Sequence, residues 1–204
     1  MAIEVYVKNV GPICLGLACE GEDVFAANFG PDERNVLKGL LTSLPINSEF
    51  RQSTKPSAFA LQVFNVLNDI YDGKETEPKL RLNMKHLPSY TAKVLSSVYL
   101  IPQGYVSPYG AVAKAVGGGP RAVGNAMARN PFAPLVPCHR VIAYDFTLGG
   151  YGGGFGDNLK TKLEFLKRER RGYKSEREIP MKVGRMHVYP VEYVLDRAEK
   201  ARKK

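Results

Sequence analysis

Residues 107–131 read SPYGAVAKAVGGGPRAVGNAMARNP, and their punctuation settles the architecture of the second half of the chain. The Ser107-Pro108 pair predicts an N-cap followed by proline at the first helical position, opening a short helix over Tyr109–Val116. Gly117-Gly118-Gly119 stops that helix, Pro120 starts a second over Arg121–Arg129, and Asn130-Pro131 ends it. Two short helices joined by a glycine turn predict a helix-turn-helix. The second helix is poor in bulk: Ala122, Gly124, Ala126 and Ala128 are small, and Arg121 and Arg129 bracket them. Gly124 weakens such a helix by about 1 kcal/mol relative to alanine. Two uses fit that sacrifice, tight packing on a neighbouring helix or close approach of another molecule's backbone.

Charge is distributed unevenly around this stretch. The chain of 204 residues carries a net charge of +9. Residues 1–77 hold 6 Lys/Arg against 11 Asp/Glu, whereas residues 78–144 hold 8 Lys/Arg and no acid at all. Mixed charge satisfies solubility, so a 67-residue stretch without a carboxylate points to a polyanionic partner. Hydrophobic content of 44% and aromatic content of 10% describe a folded globular protein rather than a disordered one. No apolar run approaches the ~20 residues that span a bilayer, and the start lacks a basic leader, which predicts no signal peptide and no membrane. Cys14, Cys19 and Cys138 are too few for a disulfide framework. A reducing, cytoplasmic compartment is expected, with Cys14 and Cys19 as core residues and no metal site.

The fold class expected is α+β: a small N-terminal antiparallel sheet with a helix, then a mainly helical domain containing the helix-turn-helix. The first fifty residues alternate apolar and polar positions (Ile3, Val5, Val7; Ile13, Leu15, Leu17; Val24, Phe25, Ala27), with turns at Gly11-Pro12 and Glu20-Gly21-Glu22-Asp23. Ser57 caps a helix whose period runs through Val63, Phe64, Leu67, Ile70 and Tyr71. The acidic segment Asp72–Pro78 reads as a linker and coincides with the charge boundary. The domains expected are therefore 1–77, 78–173 and a basic extension, 174–204. Further helices are expected around Thr91–Tyr99, over about Asn158–Arg170, and over Val191–Ala201. Gly149–Gly154 match no phosphate-binding motif and suggest a loop that lies close against a planar ligand.

The chemistry lies in Val136-Pro137-Cys138-His139-Arg140-Val141, where a thiol, an imidazole and a guanidinium stand side by side. Cysteine is a nucleophile as thiolate, and a neighbouring base or positive charge lowers its pKa. Adjacent residues on an extended strand face opposite ways, so a Cys138–His139 relay requires a turn or an intervening water. A buried cysteine beside a surface His-Arg pair is equally compatible with the segment alone.

Asn130-Pro131-Phe132-Ala133-Pro134-Leu135-Val136-Pro137-Cys138-His139-Arg140-Val141-Ile142 closely resembles the active-site signature of the O6-alkylguanine-DNA alkyltransferases. Arg121–Met127 resembles that family's DNA-recognition helix, Ser107–Gly110 the helix before it, and Gly153-Gly154 with Lys162–Glu169 and Gly172 its closing loop and helix. The resemblance spans roughly residues 88–173. It implies repair of O6-alkylguanine by a single-use, irreversible transfer of the alkyl group to Cys138. His139 would deprotonate the thiol through a water, Glu169 would orient His139, Tyr109 would hydrogen-bond the departing purine, and Asn130 would brace the cysteine's turn. The nucleotide would be flipped out of the duplex, Arg121 filling its place in the stack. Ala122, Gly124 and Arg129 would lie in the minor groove, while Tyr151 and Gly152 wall the base pocket. The partner implied is double-stranded DNA carrying O6-alkylguanine, met by a monomer without cofactor or obligate protein partner. Asn125, the Asp145-Phe146 pair, the spacing of Glu169 from Gly172, and the tail beyond Lys174 depart from the family pattern. That tail either extends the DNA footprint or packs on the N-terminal domain. A cysteine hydrolase would leave the acid-free stretch unexplained, a plain helix-turn-helix regulator would not need the Pro-Cys-His-Arg centre, and a damage-binding relative would lack the reactive cysteine.

Overall fold

The computed structural model describes residues 2–76, 79–152, 157–181 and 184–202. They fall into two compact units: residues up to Leu87 with Pro131–Leu135, and Pro88–Asn130 with the residues from Val136 onward. The boundary expected between residues 77 and 78, and the Gly153-Gly154 motif, lie outside the described residues. Among the described residues there are two small sheets and seven α-helices, a mixed α+β protein. No helix among them is long and apolar enough to cross a membrane.

In the first unit β1 (Ile3–Val10), β2 (Ile13–Glu20) and β3 (Asp23–Gly30) form an antiparallel meander. Its turns place Gly11 and Gly21 at φ 57° and 56°, a region glycine enters without steric penalty. The sheet is mixed rather than purely antiparallel, because β4 (Phe50–Gln52) and β5 (Arg81–Leu82) add to its two edges in parallel. The reading of the first fifty residues as sheet also passed over a helix, α1 (Glu33–Ser43). Its signals are an acidic N-cap, Asp32, accepting from the Asn35 N–H at 2.8 Å, and apolar Val36 and Leu40 one turn apart. The helix lies on the sheet at Gly16, where a Cβ would sit 2.5 Å from Val36 and 2.7 Å from Leu40. The second helix, α2 (Ala58–Asp72), begins after Ser57, whose hydroxyl accepts from Ala60 N–H, and ends on Gly73 at φ 73°. Val63, Phe64, Leu67 and Ile70 are buried. Cys14 and Cys19 are free thiols buried in the meander, and burial pushes the Cys19 thiol up to about 11.

The second unit contains α3 (Ser89–Val98), β6 (Tyr105–Pro108), α4 (Tyr109–Val116), α5 (Pro120–Ala128), β7 (Val141–Ile142), α6 (Asp157–Arg168), β8 (Arg177–Pro180), β9 (Arg185–Pro190) and α7 (Glu192–Arg202). It is not simply helical. Four strands form a sheet in the order β7-β6-β9-β8, and the tail from residue 174 supplies two of them. Val106 pairs with Tyr189, and Val191, Val194 and Leu195 are buried in one cluster with Val106, Ile142, Leu163 and Leu166. The basic extension is thus part of this unit's core. The same pairing overturns the expected cap: Ser107 is drawn into β6, its hydroxyl donating to His187 O at 2.9 Å, and Pro108 takes the cap position with no side-chain cap bond.

The link between α4 and α5 turns on Gly117 and Gly118, at φ 86° and 88°. Tyr90 Oη donates to Gly117 O at 3.0 Å, and a Cβ on Gly118 would lie 2.6 Å from that same hydroxyl. Gly118 therefore answers to both conformation and space. Replacing it with alanine is expected to lower unfolding stability by about 2 kcal/mol, read by urea denaturation. An unchanged midpoint would show that the turn tolerates a side chain.

Candidate active site

The cysteine is presented by two consecutive tight turns. Pro137, at φ −78° and ψ 68°, closes an inverse γ-turn in which the Cys138 N–H donates to Val136 O at 2.8 Å. Asn130 Nδ2 donates to that same carbonyl at 2.9 Å. Cys138–Arg140 then form one turn of 3-10 helix, so thiol and imidazole are not sent to opposite faces as they would be on a strand. Strand β7 follows and pairs in parallel with the end of β6, Ile142 opposite Pro108. The exit from the cysteine turn therefore runs beside the start of α4, where Tyr109 stands.

Behind the turn lies a fully buried carboxylate. Glu169, one residue past α6, accepts from His139 Nε2 at 2.8 Å and from Arg140 Nε and Nη2 at 2.9 and 2.7 Å. Arg140 Nη1 donates onward to Ile101 O at 2.6 Å. Burial alone would push the Glu169 carboxyl up, but the Arg140 guanidinium and His139 outweigh it and hold it down at about 2. Burial pushes the His139 pKa below its ordinary value against the pull of Glu169, so the ring is neutral at pH 7. A carboxylate can only accept, so the ring proton sits on Nε2 and the lone pair on Nδ1. That Nδ1 is buried and has no hydrogen-bond partner among the described residues, which makes it the basic atom of the site.

Cys138 is 7% exposed. Burial raises its thiol pKa, while the side chains of Asn130 and Tyr151 and the positive charge of Lys162 oppose the rise. Lys162, on α6, is itself fully buried and spends all three protons on carbonyls: Val141 O at 2.6 Å, Leu148 O at 2.6 Å and Gly150 O at 3.0 Å. Burial lowers its pKa to about 8. Nothing in the sequence singles out Lys162. An amphipathic-helix pattern places a lysine on the solvent side, and nothing local says that three loop carbonyls wait for it.

A pocket of about 330 Å³ opens on the sulfur, lined by Tyr109, Arg121, Gly124, Cys138, Tyr151 and Gly152 among others. Tyr109 Oη donates to Gly150 O at 3.2 Å, and burial with the nearby Cys138 pushes its pKa up to about 12, so it stays a donor. A Cβ on Gly124 would meet nothing within 4 Å. Among the described residues none packs against that glycine, which leaves the α5 face bare towards the pocket. Arg121 and Arg129 are exposed at the two ends of α5, and Ala122 is half-buried. The structure thus gathers Cys138, Tyr109, Tyr151, Gly152, Arg121 and Gly124 around one cavity, with His139 and Glu169 behind it and Asn130 below the turn. Arg129 and Ala122 are on the same helix but do not line that cavity. The alternative of a surface His-Arg pair fails, since His139 and Arg140 are both buried.

The family model described as 6-O-methylguanine DNA methyltransferase, DNA binding domain, matches residues 89–171. A methylated-DNA–protein-cysteine methyltransferase from Metallosphaera sedula is 40% identical over 161 residues, 78% of this chain and 87% of the relative. Among solved structures, the O6-methylguanine-DNA methyltransferase of Pyrococcus kodakaraensis superposes with a TM-score of 0.62 at 27% identity, over 82% of this chain and 98% of that one. A Mycobacterium tuberculosis OGT in complex with DNA superposes at 0.59 and 25% identity, over 81% and 92%.

The carboxylate's depressed pKa makes a stability prediction with a definite sign. Its stabilisation is complete above the ordinary value of 4.5 and is lost as pH falls through about 2. Glu169→Gln is expected to lose about 3 kcal/mol at pH 7, and its stability should fall less steeply than the parent's between pH ~4.5 and ~2, where the remaining loss comes from other carboxylates with lowered pKa such as Glu4 and Glu178. Urea unfolding across that pH range measures both, and identical acid limbs for the two proteins would refute the assignment.

Proposed function

This chain belongs to the methylated-DNA–protein-cysteine methyltransferases, and on that premise we propose that it repairs O6-alkylguanine in double-stranded DNA by moving the alkyl group irreversibly onto Cys138. The observation that carries the reading is a single pocket that joins the Cys138 sulfur to Tyr109, Tyr151 and the bare Arg121–Gly124 face of α5. In the reaction the Cys138 proton passes to His139 Nδ1 by way of a water, and Glu169 stabilises the imidazolium that results. The sulfur's electron pair forms the S–C bond as the C–O6 bond breaks, its electrons passing into the guanine ring. The Tyr109 hydroxyl, now bonded to Gly150 O, turns to meet that developing charge. Burial disfavours a standing thiolate, so loss of the thiol proton is coupled to formation of the S–C bond rather than preceding it. The alkyl carbon is itself the electrophile and no cofactor enters. The thioether product is inert to the acid–base groups that line the pocket among the described residues, so each chain acts once.

Delivery of the base rests on α4 and α5 acting as a helix-turn-helix. Pro120–Ala128 offers little bulk, and exposed Arg121 and Arg129 add positive charge at its ends. In the proposed complex α5 lies in the minor groove, Arg121 enters the stack, and the flipped nucleotide occupies the pocket beside Tyr151 and Gly152.

Two experiments test the reading. Intact-mass spectrometry after incubation with O6-methylguanine duplex should show one methylene of added mass per chain, mapped to Cys138 and absent from Cys138→Ser. Repeated turnover or an unmodified Cys138 would sink the proposal. Gly124→Ala should raise unfolding stability by about 0.5–1 kcal/mol and yet slow transfer from duplex DNA roughly tenfold more than transfer from free O6-benzylguanine. Equal effects on both substrates would mean that α5 does not approach DNA.

A further inference from the structure

The matched family region ends at residue 171, and the chain continues through β8, β9 and α7. This segment beyond the matched region reaches the loop that walls the pocket. Phe146, in that loop, adopts φ 61°, a left-handed conformation that a bulky residue holds only when its surroundings impose it. Its ring stands edge-on to Tyr189 of β9, with centroids 5.1 Å apart, and to Tyr193 of α7 at 5.3 Å. Tyr193 is tethered by its hydroxyl to Glu176 Oε1 at 3.2 Å. Phe146 and Leu148 both pack on the buried cluster to which Val191, Val194 and Leu195 contribute.

The other side of the loop is held by α6 through Lys162, whose amine binds the carbonyls of Leu148 and Gly150. Between those two residues Gly149, at φ 66°, brings its backbone against the pocket tyrosine, and a Cβ there would lie 3.0 Å from Tyr109 Cε2. Residues 146–150 are thus fixed at Phe146 by two rings of the C-terminal segment, at Leu148 and Gly150 by one amine, and at Gly149 by contact with Tyr109. Three of these anchors belong to the matched region. The aromatic one does not.

We propose that Tyr189 and Tyr193 are positioning residues for alkyl transfer: by gripping Phe146 they set where the Gly149–Gly152 wall stands, and so how large an O6 substituent the pocket admits. The proposal rests on the alkyl-transfer reading of the pocket for its second half only. The grip itself is a property of the fold.

The test compares the unmutated chain with Tyr189→Ala/Tyr193→Ala and with Tyr189→Phe/Tyr193→Phe, which keeps both rings. Amide hydrogen exchange over residues 143–150 is expected to speed up by about tenfold in the alanine pair, the scale that two edge-to-face aromatic contacts support. Exchange in α6 should stay unchanged, and the phenylalanine pair should restore slow exchange. In single-turnover reactions with O6-benzylguanine and O6-methylguanine, the alanine pair should shift the two half-saturating concentrations unequally, by about fivefold for the larger substituent, with maximal rates within about twofold. Unchanged exchange in the loop overturns the grip, and faster exchange with unaltered half-saturation overturns the control of the pocket. Should the alanine pair fail to fold, Phe146→Leu removes the ring and keeps apolar volume, and the same readings apply. If the unmutated chain accepts no alkyl group, the functional reading fails while the exchange measurement still decides the grip.

Discussion

A buried carboxylate shared between His139 and Arg140 is the constraint on which the second unit depends. Glu169 has no access to solvent, and an isolated carboxylate there would be driven to its neutral form. The Arg140 fork and the His139 ring prevent this, and each gains from the exchange. Arg140 is anchored with its remaining reach on Ile101 O, just past α3. His139 is fixed in orientation and tautomer, with Phe165 stacked on its ring at 4.8 Å. One ion cluster therefore ties the cysteine turn to the end of α6 and to the end of α3, and delivers a lone pair on Nδ1 as a by-product. Buried ion pairs are weak contributors to net stability when compared with apolar replacements. Their use here is geometric.

The thiol's surroundings are balanced rather than activating. Desolvation is the largest influence on Cys138 and opposes ionisation, while Asn130, Tyr151 and the Lys162 charge pull the other way. A resting thiolate would be exposed to adventitious oxidation and alkylation. A thiol that burial keeps protonated is protected between encounters, which suits a protein that reacts once. Lys162 serves both sides of this arrangement, since its three carbonyl bonds shape the pocket loop and its charge reaches the sulfur.

Much of this was legible along the chain because it is local. The glycine turn and Pro120 mark α4 and α5 within one residue or so, the Ser57 cap marks α2, and the Pro-Cys-His-Arg order names the nucleophile and its neighbours. What escaped the reading was also specific. α1 escapes a reading by periodicity because its signals are short and adjoin a strong period of two. Ser107 reads as a cap because Ser-Pro is a good cap sequence, and the strand that claims it lies some eighty residues further on, at His187. Lys162 was invisible as a pocket residue because its partners are backbone carbonyls, which every residue possesses and no sequence pattern distinguishes.

By itself the sequence determined the alphabet of the site: which residue carries the sulfur, which helix lacks bulk, where acids are absent, and the mixed α+β class. These follow from side-chain chemistry and from periods of two and 3.6 that a linear text displays. Only the tertiary structure decided that Glu169 meets His139 and Arg140, that the bare face of α5 and the thiol share one cavity, and that the tail enters the core to grip Phe146. Those facts depend on contacts between segments about fifteen to fifty residues apart in the chain. Their geometry is set by how sheets and helices bury their apolar faces together, which no local pattern encodes.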